Sequence, residues 1–361
     1  MIKFVTNLCV WAAAFATLPA LAQPPGKGAH KAAKKSTASA QSYANNPQAM
    51  ALAEEIAQSQ QLPVAWVRKT LGQAVYLPQV AKLITPPPVT QPKNWAAYRS
   101  RFIEPIRVQA GCRFWQANQG TLMRAERSYG VPPEIVAGII GVETLYGKHM
   151  GNFRVVDALA TLSLDFPASH PRAAERRAYF RGELAQVLSL KKTGVNPLTL
   201  KGSYAGAMGM PQFMPTSWAK FAVDFDGDGR VDLFKSTADV IGSVAHYFRA
   251  FNWQTGMPTH YPLQFGEKLD LATLMVPDIL PTFSAARMRE LGVVLDSTGA
   301  QHNGPLSLIE LQNGDEPPSY VAGTENFYVV TRYNWSSYYA MAVIELGQAI
   351  KAQVQSGSCG A

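Results

Sequence analysis

From Glu134 to Gly147 the chain reads Glu-Ile-Val-Ala-Gly-Ile-Ile-Gly-Val-Glu-Thr-Leu-Tyr-Gly, which sets one carboxyl, Glu143, late in an otherwise apolar run. Burial among Ile and Val side chains disfavours the charged form of a carboxyl and raises its pKa. A carboxylic acid that keeps its proton near neutral pH can hand it to a glycosidic oxygen. A lone Glu in an apolar helix can equally pair with an arginine or satisfy a backbone group, so the run alone leaves both roles open. Gly138, Gly141 and Gly147 would let another backbone or a substrate come close.

Two further stretches carry chemistry. Gly202 to Trp218 reads Gly-Ser-Tyr-Ala-Gly-Ala-Met-Gly-Met-Pro-Gln-Phe-Met-Pro-Thr-Ser-Trp. Its small residues suit a tight loop, and Ser203, Tyr204, Gln212 and Trp218 supply the hydroxyl, amide and aromatic faces that sugars require. Asp224-Phe-Asp-Gly-Asp-Gly-Arg-Val-Asp232 opens like an EF-hand loop. Asp224, Asp226 and Asp228 fall at ligand positions 1, 3 and 5, Gly229 at the turn, and Arg230 where a backbone carbonyl serves. Lys235 replaces the bidentate Glu expected at position 12. A plain Asp-Gly turn is the simpler alternative, but carboxylates packed this closely repel one another unless a cation neutralises them.

The elements that must position these groups are mostly helical. Leu52, Ile56, Val64, Val67 and Leu71 recur at helical spacing within 47–71, before a proline-rich connector from Thr85 to Pro92. Residues 95–129 read as helix, with Tyr129-Gly130 as a stop and Pro132-Pro133 as the next start. Helix is predicted over 133–146, near 157–163, 172–191, 216–223 and 237–251, and over 338–352. After Trp253 the character changes, and Leu306 to Leu311 and Phe327 to Thr331 read as strands among turn residues. No internal repeat is present. The expected class is mainly α (α+β), a helical core with an added N-terminal helical region and a small strand-containing insert.

Together these segments resemble the lytic murein transglycosylase B family (glycoside hydrolase family 103), a lysozyme-like group that cleaves peptidoglycan. The match rests on Gly141-Val142-Glu143-Thr144 with Tyr146-Gly147, on Asp157-Ala158-Leu159-Ala160-Thr161-Leu162, and on the Gly202 to Pro215 stretch. Ala222 to Phe225, Ile241 to Phe248 and Thr331-Arg332-Tyr333-Asn334 extend it, so that it covers roughly 47–355. The resemblance implies a lysozyme-like core and cleavage of the β-1,4 bond between N-acetylmuramic acid and N-acetylglucosamine without water, leaving 1,6-anhydro ends. It puts the lone acid, then base, on Glu143. Sugar-groove residues map onto Ser203, Gln212, Tyr247, Tyr333, Asn334 and Tyr339, and basic residues facing the peptide onto Arg176 and Arg177. A later Asp completes the family's metal site, which here is Asp239, so the expected ligands are Asp224, Asp226, Asp228, Arg230 and Asp239 around a structural Ca²⁺. No cofactor is expected for the catalysis of this lyase. Met210-Pro211 departs from the aromatic residue and Gly that relatives often carry before the Gln. A hydrolytic lysozyme on the same fold and a non-catalytic, Ca²⁺-dependent wall-binding protein are the competing readings.

Bulk properties bound the rest. A chain of 361 residues suggests roughly two or three domains. With 47% hydrophobic and 16% charged residues it has an ordinary water-soluble balance, and no stretch beyond the N-terminus reaches the roughly 18 apolar residues a membrane span needs. Lys3, the apolar run Leu8 to Leu18 and Ala20-Leu21-Ala22 read as a signal peptide over 1–22, which predicts export to the periplasm. Leu8 before Cys9 argues against a lipid anchor. Much of the +8 net charge sits in Lys27, Lys31, Lys34 and Lys35, in a leader over 23–46 expected to be disordered. The folded part has no basic-aromatic array, which speaks against nucleic acid. The remaining divisions are 47–110 (N-terminal helical), 111–259 (catalytic core with the EF-hand-like loop), 260–325 (insert), 326–355 (core again) and 356–361 (tail). Cys112 and Cys359 are left after export, and a bridge or two thiols are both open. The expected partners of this monomer are peptidoglycan strands, with wall-synthesis proteins as further candidates. Strand-end or interior cleavage and stem-peptide preference are not encoded in any legible pattern.

Overall fold

The computed structural model describes residues 41–85 and 92–359. The signal segment 1–22, the leader up to residue 40, positions 86–91 of the connector and residues 360–361 lie outside the described residues. Helices α1 (Pro47–Ser59), α2 (Val64–Gly72) and α3 (Pro78–Ile84) form the N-terminal region, and α4 (Trp95–Arg99) leads into α5 (Pro105–Tyr129) and α6 (Pro133–Thr144). Then come β1 (Phe153–Arg154), α7 (Val155–Leu164), α8 (Ala173–Ser189), β2 (Lys201–Gly202), α9 (Pro215–Phe221) and α10 (Thr237–Ala250). The insert holds β3 (His260–Tyr261), β4 (Leu263–Phe265), α11 (Leu271–Met275), α12 (Ala285–Glu290), β5 (Val293–Leu295), β6 (Ser307–Asn313) and β7 (Glu316–Gly323). Helices α13 (Glu325–Thr331) and α14 (Ser337–Gln355) return to the core. The mainly helical class with small sheets is as expected.

Local chemistry explains the boundaries. Asn46 caps α1 by accepting the Ala49 amide at 3.0 Å, with Pro47 at the first helical position. Gln61, in left-handed backbone, and Pro63 split the continuous helix expected over 47–71. Pro105 likewise restarts the helix within 95–129, and Gly130, at φ 74°, ends it. The last residues of the expected leader belong to the fold: Tyr43 is buried and its hydroxyl donates to Asp165 at 2.5 Å. Around it the N-terminal region docks on α7, where Asp157 accepts the Val75 amide (3.1 Å) and Thr161 the Leu77 amide (3.0 Å).

Helix α6 runs through the middle of the main apolar core, with Ile135, Val136, Ile139, Ile140 and Val142 all buried. It packs on α5 and, most closely, on α14. A β-carbon on Gly138 would lie 2.3 Å from the Val343 carbonyl oxygen, and one on Gly347 2.2 Å from that of Glu134. These two glycines let the backbones of α6 and α14 touch, so Gly138 admits a neighbouring backbone. Cys112 of α5 and Cys359, just beyond α14, form a disulfide.

The insert has its own apolar cluster, which includes Tyr261, Leu274, Met288, Val293, Leu306, Leu308 and Ala322. Its three-stranded antiparallel sheet has the order β3-β7-β6, with Leu308 opposite Ala322, and β4 pairs with β5. Phe327 to Thr331, expected as a strand, is helical. Thr324 caps it by accepting the Asn326 amide at 3.1 Å, and a helix buries Phe327, Val329 and Val330 in the main core together. Tertiary burial outweighs the β-propensity of its aromatic and β-branched residues.

Candidate active site

Glu143 occupies the last turn of α6, beside α14. The Tyr339 hydroxyl donates to Glu143 Oε1 at 2.5 Å. Burial of the carboxyl pushes its pKa up to about 7, against the pull of the Tyr339 bond, which favours the anion. Glu143 belongs to none of the ion pairs among the described residues, so the arginine-paired alternative is not what the fold builds. Tyr333 and Tyr98 stand near enough that a charged Glu143 adds to the burial that raises their own pKa values. Tyr98, on the short helix α4 and packed edge-on to Tyr338, was missed in the sequence, where nothing in its spacing ties it to Glu143.

The backbone around the acid is fixed from three sides. Helix α6 stops at Thr144 rather than running to Tyr146, because Leu145 and Tyr146 both take left-handed conformations, at φ 50° and 56°. Buried Thr144 accepts the Gly147 amide (3.0 Å) and donates to the Met210 carbonyl (2.8 Å), tying this turn to the Gly202–Trp218 loop. Arg107 of α5 donates to the Gly141 carbonyl at 2.6 Å, placing a half-buried cation where the last helical carbonyls point. Neither Arg107 nor the bridging role of Thr144 is legible without the fold.

The Gly202–Trp218 loop brings in several expected residues. Gln212 sits at φ 51°, with its amide NH₂ donating to the carbonyls of Gly209 (3.0 Å) and Met150 (3.2 Å). The Ser203 hydroxyl oxygen accepts the Ala207 amide at 3.0 Å and so shapes the loop. Tyr333 donates to the Pro211 carbonyl at 2.5 Å, and Tyr247 to that of Arg332 at 2.7 Å. The Tyr339 and Tyr333 rings stack at 6.4 Å, and Tyr333 meets Tyr247 at 4.9 Å. Asn334 Oδ1 is buried and has no hydrogen-bond partner. Arg176 lies over the Phe180 ring and near enough to Tyr204 to favour its ionised form, which joins it to the loop. Arg177 instead donates to the Phe166 carbonyl at 3.3 Å. A second buried carboxyl, Glu183, also has a pKa raised by burial, yet it accepts the amide and hydroxyl of Thr216 (2.9 and 2.7 Å) at the start of α9. That bonding makes it a helix cap.

In the acidic loop the ligand oxygens of Asp224, Asp226 and Asp239 come within 4.8 Å of one another. Asp224 accepts the amides of Gly227 (2.7 Å) and Gly229 (2.8 Å), and buried Asp239 those of Phe225 and Asp232 (both 2.7 Å). The backbone is thereby wound around the three carboxylates, an all-oxygen set that fits a hard cation such as Ca²⁺. Asp228 departs from the expected set: its carboxylate turns outward to the Arg230 side chain at 3.1 Å.

Residues 44–348 match the transglycosylase SLT domain family. The chain is 38% identical over 332 residues to the membrane-bound lytic murein transglycosylase B of Escherichia coli (strain K12), spanning 87% of this chain and 85% of that protein. The crystal structure of the soluble lytic transglycosylase SltB1 from Pseudomonas aeruginosa superposes with a TM-score of 0.77 at 37% identity, covering 85% of this chain and 99% of that one. The Escherichia coli lytic transglycosylase Slt35 in complex with calcium gives 0.76 at 38% identity, covering 88% and 96%.

Proposed function

The chain belongs to the transglycosylase SLT family and acts on peptidoglycan as a lytic transglycosylase of the SltB type, and we propose that Glu143 is its general acid and then its base. The observation that carries this role is the half-buried carboxyl at the end of α6, with a pKa near 7 and a tyrosine hydroxyl as its partner. Protonated Glu143 gives its proton to the glycosidic oxygen as the bond from C1 of N-acetylmuramic acid breaks, and N-acetylglucosamine leaves with a free hydroxyl. The substrate's N-acetyl carbonyl steadies the positive charge at C1. The Glu143 carboxylate then takes the proton of the C6 hydroxyl, O6 bonds to C1, and the acid is regenerated with no water consumed. Ser203, Gln212, Tyr247, Tyr333, Asn334 and Tyr339 would hold the sugars, and Arg176 and Arg177 would face the acidic stem peptide.

Asp224, Asp226 and Asp239, with the Arg230 carbonyl, would hold a structural Ca²⁺, and the calcium complex of the Escherichia coli relative supports this. Asp239 lies in the first turn of α10, the helix that carries Tyr247, so the ion would steady one wall of the groove. Among the described residues no helix is long and apolar enough to cross a membrane. Export to the periplasm by segment 1–22, action as a monomer and contact with wall-synthesis proteins complete the proposal.

Mass spectrometry of muropeptides released from purified peptidoglycan tests it. The protein should release 1,6-anhydro-muramyl ends, and Glu143→Gln should release none. Reducing ends would replace the reading with a hydrolase. Cleavage by the variant would remove Glu143 from the chemistry.

A further inference from the structure

The aromatic side chains beside Glu143 continue outward as a chain. Tyr247 meets Phe251, the residue that caps the end of α10, at 4.6 Å between ring centroids, and Phe251 lies 5.8 Å from the guanidinium of Arg332. That guanidinium is also 5.0 Å from the Trp335 ring and 5.6 Å from the Tyr328 ring, which meet edge to face at 5.8 Å. Its one hydrogen bond is a long one, 3.4 Å to the Tyr328 hydroxyl. Arg332 and all three rings are half-exposed. Among the described residues Arg332 enters no ion pair.

Three rings hold the guanidinium by cation–π contact but neutralise none of its charge. A guanidinium packed on rings, without an ion pair and partly exposed, is suited to two-point recognition of a carboxylate. The rings around it offer apolar faces to a sugar or a peptide stem. It stands at the outer end of a packed ring series that begins on Glu143 and runs through Tyr339, Tyr333, Tyr247 and Phe251.

We propose that Arg332, in its cage of Phe251, Tyr328 and Trp335, is a subsite for a carboxylate of the glycan strand. This rests on the lytic transglycosylase reading. Two sources carry that chemistry: the stem peptides, and the lactyl carboxylates that removal of those peptides exposes. The test is steady-state release of 1,6-anhydro ends by the wild type, Arg332→Met and Arg332→Lys, from peptide-bearing strands and from strands stripped by an amidase. Arg332→Met should raise KM about tenfold and leave kcat within twofold, and Arg332→Lys should recover most of the loss. A KM effect on peptide-bearing strands assigns the subsite to the stem, and an effect on stripped strands alone assigns it to the lactyl group. Unchanged KM on both substrates, or a fall in kcat that Lys does not restore, would overturn the proposal. Should Arg332→Met not fold, peptide-bearing strands with their carboxylates blocked as methylamides serve with the wild type, and an unchanged KM again overturns it. Failure of the activity itself would appear separately, as no 1,6-anhydro ends from the wild type on either substrate.

Discussion

Replacing Glu143 by Gln should make the protein more stable at pH 8 while leaving stability near pH 4 little changed. In the unfolded chain this carboxyl ionises near 4.5, whereas burial in the fold holds its proton up to about pH 7. Below 4.5 both states are protonated and the group contributes no pH dependence. Between 4.5 and 7 the unfolded chain releases a proton that the folded protein keeps, so stability falls as pH rises. Above 7 the loss levels off. At 1.36 kcal/mol per pKa unit the full loss is about 3 kcal/mol. Gln matches Glu in shape and can still accept the Tyr339 hydroxyl, but it has no proton to release. The assay is urea unfolding of both proteins from pH 4 to pH 8.5. The gap between variant and wild type should widen by about 3 kcal/mol across that range, most of it between 4.5 and 7. A gap that stays constant, or narrows with rising pH, would refute the claim that burial holds this carboxyl protonated.

Other perturbations follow from the same contacts. Tyr339→Phe removes a hydrogen bond that favours the Glu143 anion, so the alkaline limb of kcat/KM, near pH 7 in the wild type, should move up by about one unit; a shift downward counts against the assigned roles. Calcium should raise the melting temperature of the wild type and leave that of Asp224→Asn unchanged, since the variant loses one of three clustered carboxylates. Reducing the Cys112–Cys359 bond frees a loop with a sequence separation of 247 residues, and Cys112→Ser with Cys359→Ser should cost about 4–5 kcal/mol of unfolding free energy.

The parts of the fold legible in the sequence are those whose signals are local. Tyr129-Gly130 and Pro132-Pro133 carry their own helix stop and start, and the structure uses them as such. Phe327 to Thr331 misled because its β-like composition is overridden by burial against the main core, which no window of five residues contains. Glu143 is conspicuous as an acid in an apolar run, but its proposed role follows from the flanking motifs and their resemblance to a family rather than from the run itself. Tyr98 and Arg107 were not legible, because each acts across more than thirty positions of chain and only the packing of α4 and α5 against α6 and α14 brings it there. Asp228 shows the opposite limit. Loop spacing predicts which residues stand at ligand positions, but not the partners each carboxylate takes, and this one bonds the amide and side chain of Arg230 two residues on.

An acid of this kind needs its backbone held still while its side chain stays out of ion pairs, and these demands conflict in most interiors. Here they fall on different elements. Rigidity comes from α6 lying with its backbone against α14, which Gly138 and Gly347 permit, and from Thr144 clamping the final turn to the loop of Gln212. The positive charge of Arg107 is directed at the Gly141 carbonyl, so it opposes the negative end of the helix without touching the carboxyl. Glu143 is left with one neutral partner, Tyr339, whose bond orients the carboxyl and lowers its proton affinity less than a cation would. A pKa near 7 is therefore the outcome of burial opposed by a single neutral hydrogen bond, with no cation in contact with the carboxyl. Moving the Arg107 cation onto the carboxyl would lower the pKa and discharge the proton that the proposed first step requires.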